Sequence, residues 1–183
     1  TPLAVIQSQE QLSSLTIEQL NIINSMVEHQ LRKAQSAGQS SWYLGTQISP
    51  VAEKLCSSLN KIYREKQINV NTSIEAKSIF KGDESDLLEI IGNLLDNAYK
   101  AATQNVSLRV HTENNQLTII IEDDGCGIDE SLREDILKRG TRADTYQHGH
   151  GIGLAIVRDL VDSYQGTMSI GMSEELSGAK FTL

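Results

Sequence analysis

Residues 83 to 104 constrain this chain most, because they carry its most regular helical periodicity. At about 100° per residue, Leu87, Leu88, Ile91, Leu94, Leu95 and Ala98 gather on one side, while Glu89, Asn93, Asp96, Asn97 and Lys100 fall in one narrow polar arc opposite. Solvated helix faces often look like that arc, yet they favour Glu, Lys and Gln. Two Asn one turn apart are poor helix formers and hint at a purpose.

Around this helix, INVNTSI alternates like a half-buried strand, KSIF offers it a partner, and VSLRVHTE and LTIIIED flank the turn ENNQ as a hairpin. Helices over residues 50 to 66 and 151 to 164 and the strands TMSIGM and AKFTL complete this part. Upstream, residues 16 to 37 space Ile17, Leu20, Ile23, Val27 and Leu31 like a helix, TPLAVIQSQEQL reads as another, and SSLT turns between them. The expected fold class is α+β: an α/β sandwich, with a mixed, largely antiparallel sheet and helices on one face, preceded by a helical hairpin. A Ser- and Gly-containing stretch from Gly38 to Pro50 reads as a linker, so the expected units are residues 1–40 and 41–183.

Composition narrows the function. A net charge of −8 argues against a nucleic-acid backbone or an anionic membrane surface as partner, since both need a basic field. Aromatic residues make up only 4% of the chain, so the core is expected to rest on Ile, Leu and Val. Cys56 and Cys126 are far apart and form no CxxC, which suggests reduced thiols rather than a disulfide framework or a zinc site.

Three segments carry chemistry. On the 83–104 helix, Asn93 and Asn97 offer neutral carboxamide oxygens suited to Mg²⁺ when phosphates supply the negative charge. Lys100 can meet a terminal phosphate as a point charge, and Glu89 can act as acid, base or orienting group. In LTIIIEDDGCGI a strand ends at Asp123 among the glycines Gly125 and Gly127. A carboxylate there can accept from the exocyclic amine of adenine, while the glycines let the backbone approach a flat ring. A tight Asp-Gly turn explains that segment alone about equally well. GHGIGL, with Gly149, His150, Gly151, Gly153 and Leu154, opens a helix whose glycine-rich start suits an anion. It fits neither GxGxxG nor a P-loop. Between the glycine motifs lie Arg133, Lys138, Arg139 and Arg142, a local gathering of cations in an acidic chain.

Taken in order, NLLDNAYK, DDGCGI and GHGIGL resemble the N, G1 and G2 boxes of the ATP-binding superfamily shared by histidine kinases, gyrase, Hsp90 and MutL. TPLAVIQ resembles the end of a phosphoacceptor box, and with KRGTR, EDDGCGI and SGAKF the whole chain resembles sensor histidine kinases of the PhoQ type. The resemblance implies Asp123 for adenine, Ile128, Leu154 and Ile136 for apolar contact with the base, and Asn93 and Asn97 for Mg²⁺. It assigns Lys100, Arg139, Arg142 and the lid residues Gly149, His150, Gly151 and Gly153 to the phosphates. Glu89 matches the acidic N-box position, and Thr1 the position linked to dephosphorylating the partner regulator. ATP and Mg²⁺ are the implied cofactors; a response-regulator receiver domain and a second copy of the parent are the implied partners. The implied setting is the cytoplasmic part of a bacterial inner-membrane sensor.

The pattern has departures. By the resemblance, the phosphoacceptor histidine precedes Thr1 by four residues, so the chain is expected to begin inside that motif and not to phosphorylate itself in cis. Ala101 stands where an aromatic is frequent, Leu137 where Phe is, and Cys126 where Pro is; SGAKF lacks the common Thr. Two alternatives stand beside the kinase: a nucleotide-binding regulatory module without transfer, and an ATPase of the gyrase or Hsp90 kind.

Overall fold

The computed structural model describes residues 45–131, 133 and 153–183. The expected hairpin over residues 1–40 lies outside them. Among the described residues the order is β1 (Thr46–Gln47), α1 (Ile48–Ile62), a 3₁₀ turn (Arg64–Lys66), β2 (Asn69–Ile74), β3 (Ile79–Phe80), α2 (Glu84–Ala101), β4 (Asn105–Glu113), β5 (Gln116–Asp123), α3 (Gly153–Ser163), β6 (Ser169–Met172) and β7 (Ala179–Thr182).

Five strands form one sheet in the order β2-β4-β5-β7-β6. The β2–β4 pair is parallel and the other pairs are antiparallel, so the sheet is mixed and largely antiparallel as its sequence led us to expect. The β4–β5 hairpin turns on Asn114 and Asn115, both at positive φ, which is the backbone a two-residue hairpin loop requires and which Asn tolerates. Along β4 and β5, Val106, Leu108, Val110, Ile119 and Ile121 alternate onto the face that meets the helices.

The central helix is α2, packed between α1 and α3 and on β5. Its apolar stripe extends beyond the expected set: Ile90 and Tyr99 join Leu87, Ile91, Leu94, Leu95 and Ala98 in the core, while Leu88 is half-buried at its margin. Each fully buried Leu or Ile contributes about 1.5–3 kcal/mol relative to exposure. The helix starts where Asp83 caps it, accepting from the Ser85 amide at 2.8 Å and the Ser85 hydroxyl at 2.7 Å. Glu84 and Asp86 lie in the first turn and Lys100 in the last, each matching the helix dipole.

One expected pairing is wrong. KSIF does not pair with INVNTSI; β3 pairs antiparallel with β1. The Glu75 amide makes a last bond to the Val110 carbonyl of β4, and the chain then leaves the sheet because the Ser78 amide closes a turn onto the Glu75 carbonyl. A two-residue strand carries no period by which a sequence could place it. The first described helix also begins at Ile48, with Pro50 in its opening turn, where a missing donor costs nothing.

Replacing Asp83 by Ala removes the cap of α2 and is expected to lower the unfolding free energy by about 1 kcal/mol. Urea denaturation measures it, and an unchanged midpoint would contradict the assignment.

Candidate functional site

Strand parity turns Asp123, the last residue of β5, onto the same face as Ile119 and Ile121, toward the helices. Its side chain is buried, with the residue 1% exposed. The Gly125 amide at 2.9 Å and the Ala179 amide at 3.3 Å both donate to Oδ1, so neither engages Oδ2. The backbone closes tightly on this carboxylate. A Cβ on Gly178 would lie 2.5 Å from Asp123 Oδ1 and 2.6 Å from the Gly125 nitrogen, and one on Gly125 would strike the carbonyl oxygen of Ala101. Only hydrogen fits at either position, and the turn is thereby seated against the end of α2.

The neighbouring aspartates diverge. Burial pushes the Asp123 carboxyl above its ordinary range, and the two amide bonds offset this only in part. Asp124 meets a smaller desolvation that is outweighed by hydrogen bonds from Asn105, Gln104 and Thr103, which hold it below the ordinary range. Its Oδ1 accepts from the Thr103 amide at 2.8 Å and the Gln104 amide at 3.0 Å, and its Oδ2 from Asn105 Nδ2 at 2.9 Å. Asp123 therefore holds an ionisable group poised for a partner, whereas Asp124 fastens the α2–β4 junction.

On the polar side of α2, Asn93 Nδ2 donates to the Glu89 carbonyl at 2.8 Å. Asn93 Oδ1 is left beside the start of α3, since a Cβ on Gly153 would stand 2.5 Å from it. Asn97 Nδ2 is buried and, among the described residues, has no hydrogen-bond partner. Such a group costs about 1–3 kcal/mol unless a polar atom reaches it, and its amide nitrogen and oxygen exchange places by a simple flip. The two carboxamides thus fit a polar ligand or a hard cation. Among the described residues no cluster of three or more His, Cys, Asp or Glu offers a metal site in their place. Lys100 does not turn toward Asn97; its ammonium lies 2.6 Å from Asp96 Oδ2, and Asp96 Oδ1 accepts from the Tyr63 hydroxyl at 2.7 Å. Ile128 is half-buried against the core, and Leu154 is buried on the first turn of α3.

The model of the family described as histidine kinase-, DNA gyrase B-, and HSP90-like ATPase matches residues 82–183, more than half of the chain. The chain belongs to this family. It is 36% identical over 98% of its length to the sensor protein PhoQ of Escherichia coli K12, and spans 39% of that relative. The ATP-binding domain of PrrB from Mycobacterium tuberculosis superposes with a TM-score of 0.61 at 25% identity, covering 75% of this chain and 92% of that one. The mycobacterial sensor histidine kinase MprB shares the fold with a TM-score of 0.63 at 24% identity, covering 75% and 92% respectively. In this domain of sensor histidine kinase type, no helix among the described residues is long and apolar enough to cross a membrane.

Within the ATPase domain, the fold brings Asp123, Gly125 and Gly178 together at one end of the sheet, with Ala101 of α2 against them. Asn93 meets Gly153 on the neighbouring helix. Thr1, Ile136, Arg139, Arg142, Gly149, His150 and Gly151 lie outside the described residues. The sequence reading missed Asp124 and Gly178. Only the doubled aspartate hinted at the first, and the second stood in SGAKF without a role.

The raised carboxyl of Asp123 fixes the sign of a pH effect. Its folded value exceeds the unfolded one, so its favourable contribution is present below the unfolded value, about 3.9, and is lost as pH rises through the folded value. The unfolding free energy of Asp123→Asn is therefore expected to gain on that of the unaltered chain as pH climbs from about 4 toward neutrality. Parallel profiles in denaturant titrations would contradict the burial argument.

Proposed function

We propose that this chain binds Mg-ATP and serves as the phosphotransfer engine of a sensor histidine kinase, passing the γ-phosphate to a histidine and, in the parent protein, onward to a response-regulator receiver domain. The observation that supports it best is a buried carboxylate at a strand end, braced on one oxygen by two backbone amides. Oδ2 of Asp123 would accept from the adenine amine, and a guanine carbonyl would be repelled there.

The other roles follow from the same reading. Ile128, Leu154 and Ile136 supply the apolar walls for the base. Asn93 and Asn97 would hold Mg²⁺ through their carboxamide oxygens, an ion that neutralises charge on the phosphates when bound. Lys100 would exchange Asp96 for a terminal phosphate; an exposed pair of this kind holds with only about 0.3–0.5 kcal/mol, so the exchange is cheap. Arg139, Arg142, Gly149, His150, Gly151 and Gly153 close over the phosphates, and Glu89 orients the attacking imidazole. Catalysis on this plan is positioning and charge stabilisation rather than covalent chemistry by the domain. Thr1 would serve removal of phosphate from the regulator. On this reading the parent would be a membrane-bound homodimer that dimerises through residues 1–40, with residues 41–183 as the ATP-binding unit.

Calorimetry with ATP and magnesium tests the binding half. Asp123→Asn is expected to weaken affinity about tenfold or more, the usual worth of a hydrogen bond to a charged group. For transfer, a separately made histidine-bearing helical domain and γ-labelled ATP are added. Glu89→Gln should slow labelling and leave affinity unchanged. ATP bound without labelling by the unaltered chain would favour a regulatory module, and ATP consumed without any acceptor would favour a gyrase- or Hsp90-like ATPase.

A further inference from the structure

We propose that Lys66 is a positioning residue of the nucleotide site, acting from outside it through the C-terminal turn of α2. This rests on the ATP reading above. The 3₁₀ turn Arg64–Lys66 follows α1 directly, and Gln67 closes it at a left-handed φ of 51°. That geometry aims the Lys66 ammonium at the end of α2, where it donates to the carbonyls of Tyr99 at 3.0 Å, Lys100 at 2.6 Å and Ala102 at 3.2 Å. These carbonyls have no partner within the helix, and they form the negative end of its dipole. An ammonium has three donors, and all three are engaged.

The intervening carbonyl points elsewhere. Ala101 faces Gly125 so closely that no Cβ fits between them, and the amides of Thr103 and Gln104 are held by Asp124. Residues 99–104 are therefore gripped from one side by Lys66 and from the other by the turn that carries Asp123. Three residues before Lys66, the Tyr63 amide closes α1 on Leu59, and the Tyr63 hydroxyl holds Asp96. The same short segment thus grips α2 at two levels, on the helix that bears Asn97 and Lys100. Lys66 sets the register between the base-recognising carboxylate and the polar face of α2. Without it the last turn frays, the Ala101 carbonyl leaves Gly125, and the two halves of the site separate.

The test compares the unaltered chain with Lys66→Met in two measurements, at a temperature where circular dichroism shows both folded. The affinity for Mg-ATP is expected to fall at least fivefold, the low end of coupling between sites. Hydrogen exchange is expected to quicken at Gly125, whose amide is bonded to Asp123, as well as at Ala102 to Gln104. A role limited to capping the helix would quicken only Ala102 to Gln104 and leave affinity unchanged, which overturns the proposal. If Lys66→Met does not fold, Lys66→Gln is read by the same two measurements against the same outcomes. Failure of the unaltered chain to bind ATP would instead overturn the function on which the proposal rests.

Discussion

The structure depends on one costly arrangement: a carboxylate buried at the end of a strand, with one oxygen held by two amides. Burying a charge is unfavourable unless it is paired, and here the pairing comes from the backbone at Gly125 and Ala179. That requirement explains the glycines around it, which let three segments converge where any side chain would intrude. It also explains why the adjacent Asp124 is engaged so fully. The turn can present Asp123 only if something else fastens it, and Asp124 does so by gripping Thr103, Gln104 and Asn105.

The same constraint reaches the far side of the sheet. Glu122 points away from the helices yet is 1% exposed, and it pairs with Arg109 at 2.5 Å. Arg109 reaches Glu175 at 2.7 Å in the β6–β7 turn, and that turn carries Gly178 against Asp123. An ion pair on one face thus reaches the turn that meets Asp123 on the other. Removing Arg109 would leave the Glu122 carboxylate buried and without that partner, which generally destabilises more than the pair's net worth, whereas the Arg109–Glu175 pair is exposed on its Glu175 side and contributes little.

Much of this was legible in the sequence because it violates what a plain surface or core would choose. Asn93 and Asn97 stand out on a helix that would favour Glu or Lys there, and Asp123 ends a run of Ile where an apolar residue would pack. The β4–β5 hairpin was legible from its two Asn. What could not be read depends on contacts distant in sequence. Lys66 meets carbonyls 33 to 36 residues away, and nothing in REKQ marks it as a clamp. The pairing of β3 with β1 joins two-residue strands with no period, and the parallel β2–β4 pairing depends on how α2 crosses over the sheet. The pairing of Lys100 with Asp96 is legible as well, since their i, i+4 spacing favours it.

The central claim is that Asp123 and the carboxamide face of α2 address one purine nucleotide. A structure of the chain with a non-hydrolysable ATP analogue and magnesium measures it most directly. The exocyclic amine is expected within hydrogen-bond distance, about 3 Å, of Asp123 Oδ2, with a polar atom brought to Asn97 Nδ2. A nucleotide bound with its base away from Asp123, or Asn97 still without a partner in the filled site, would contradict it.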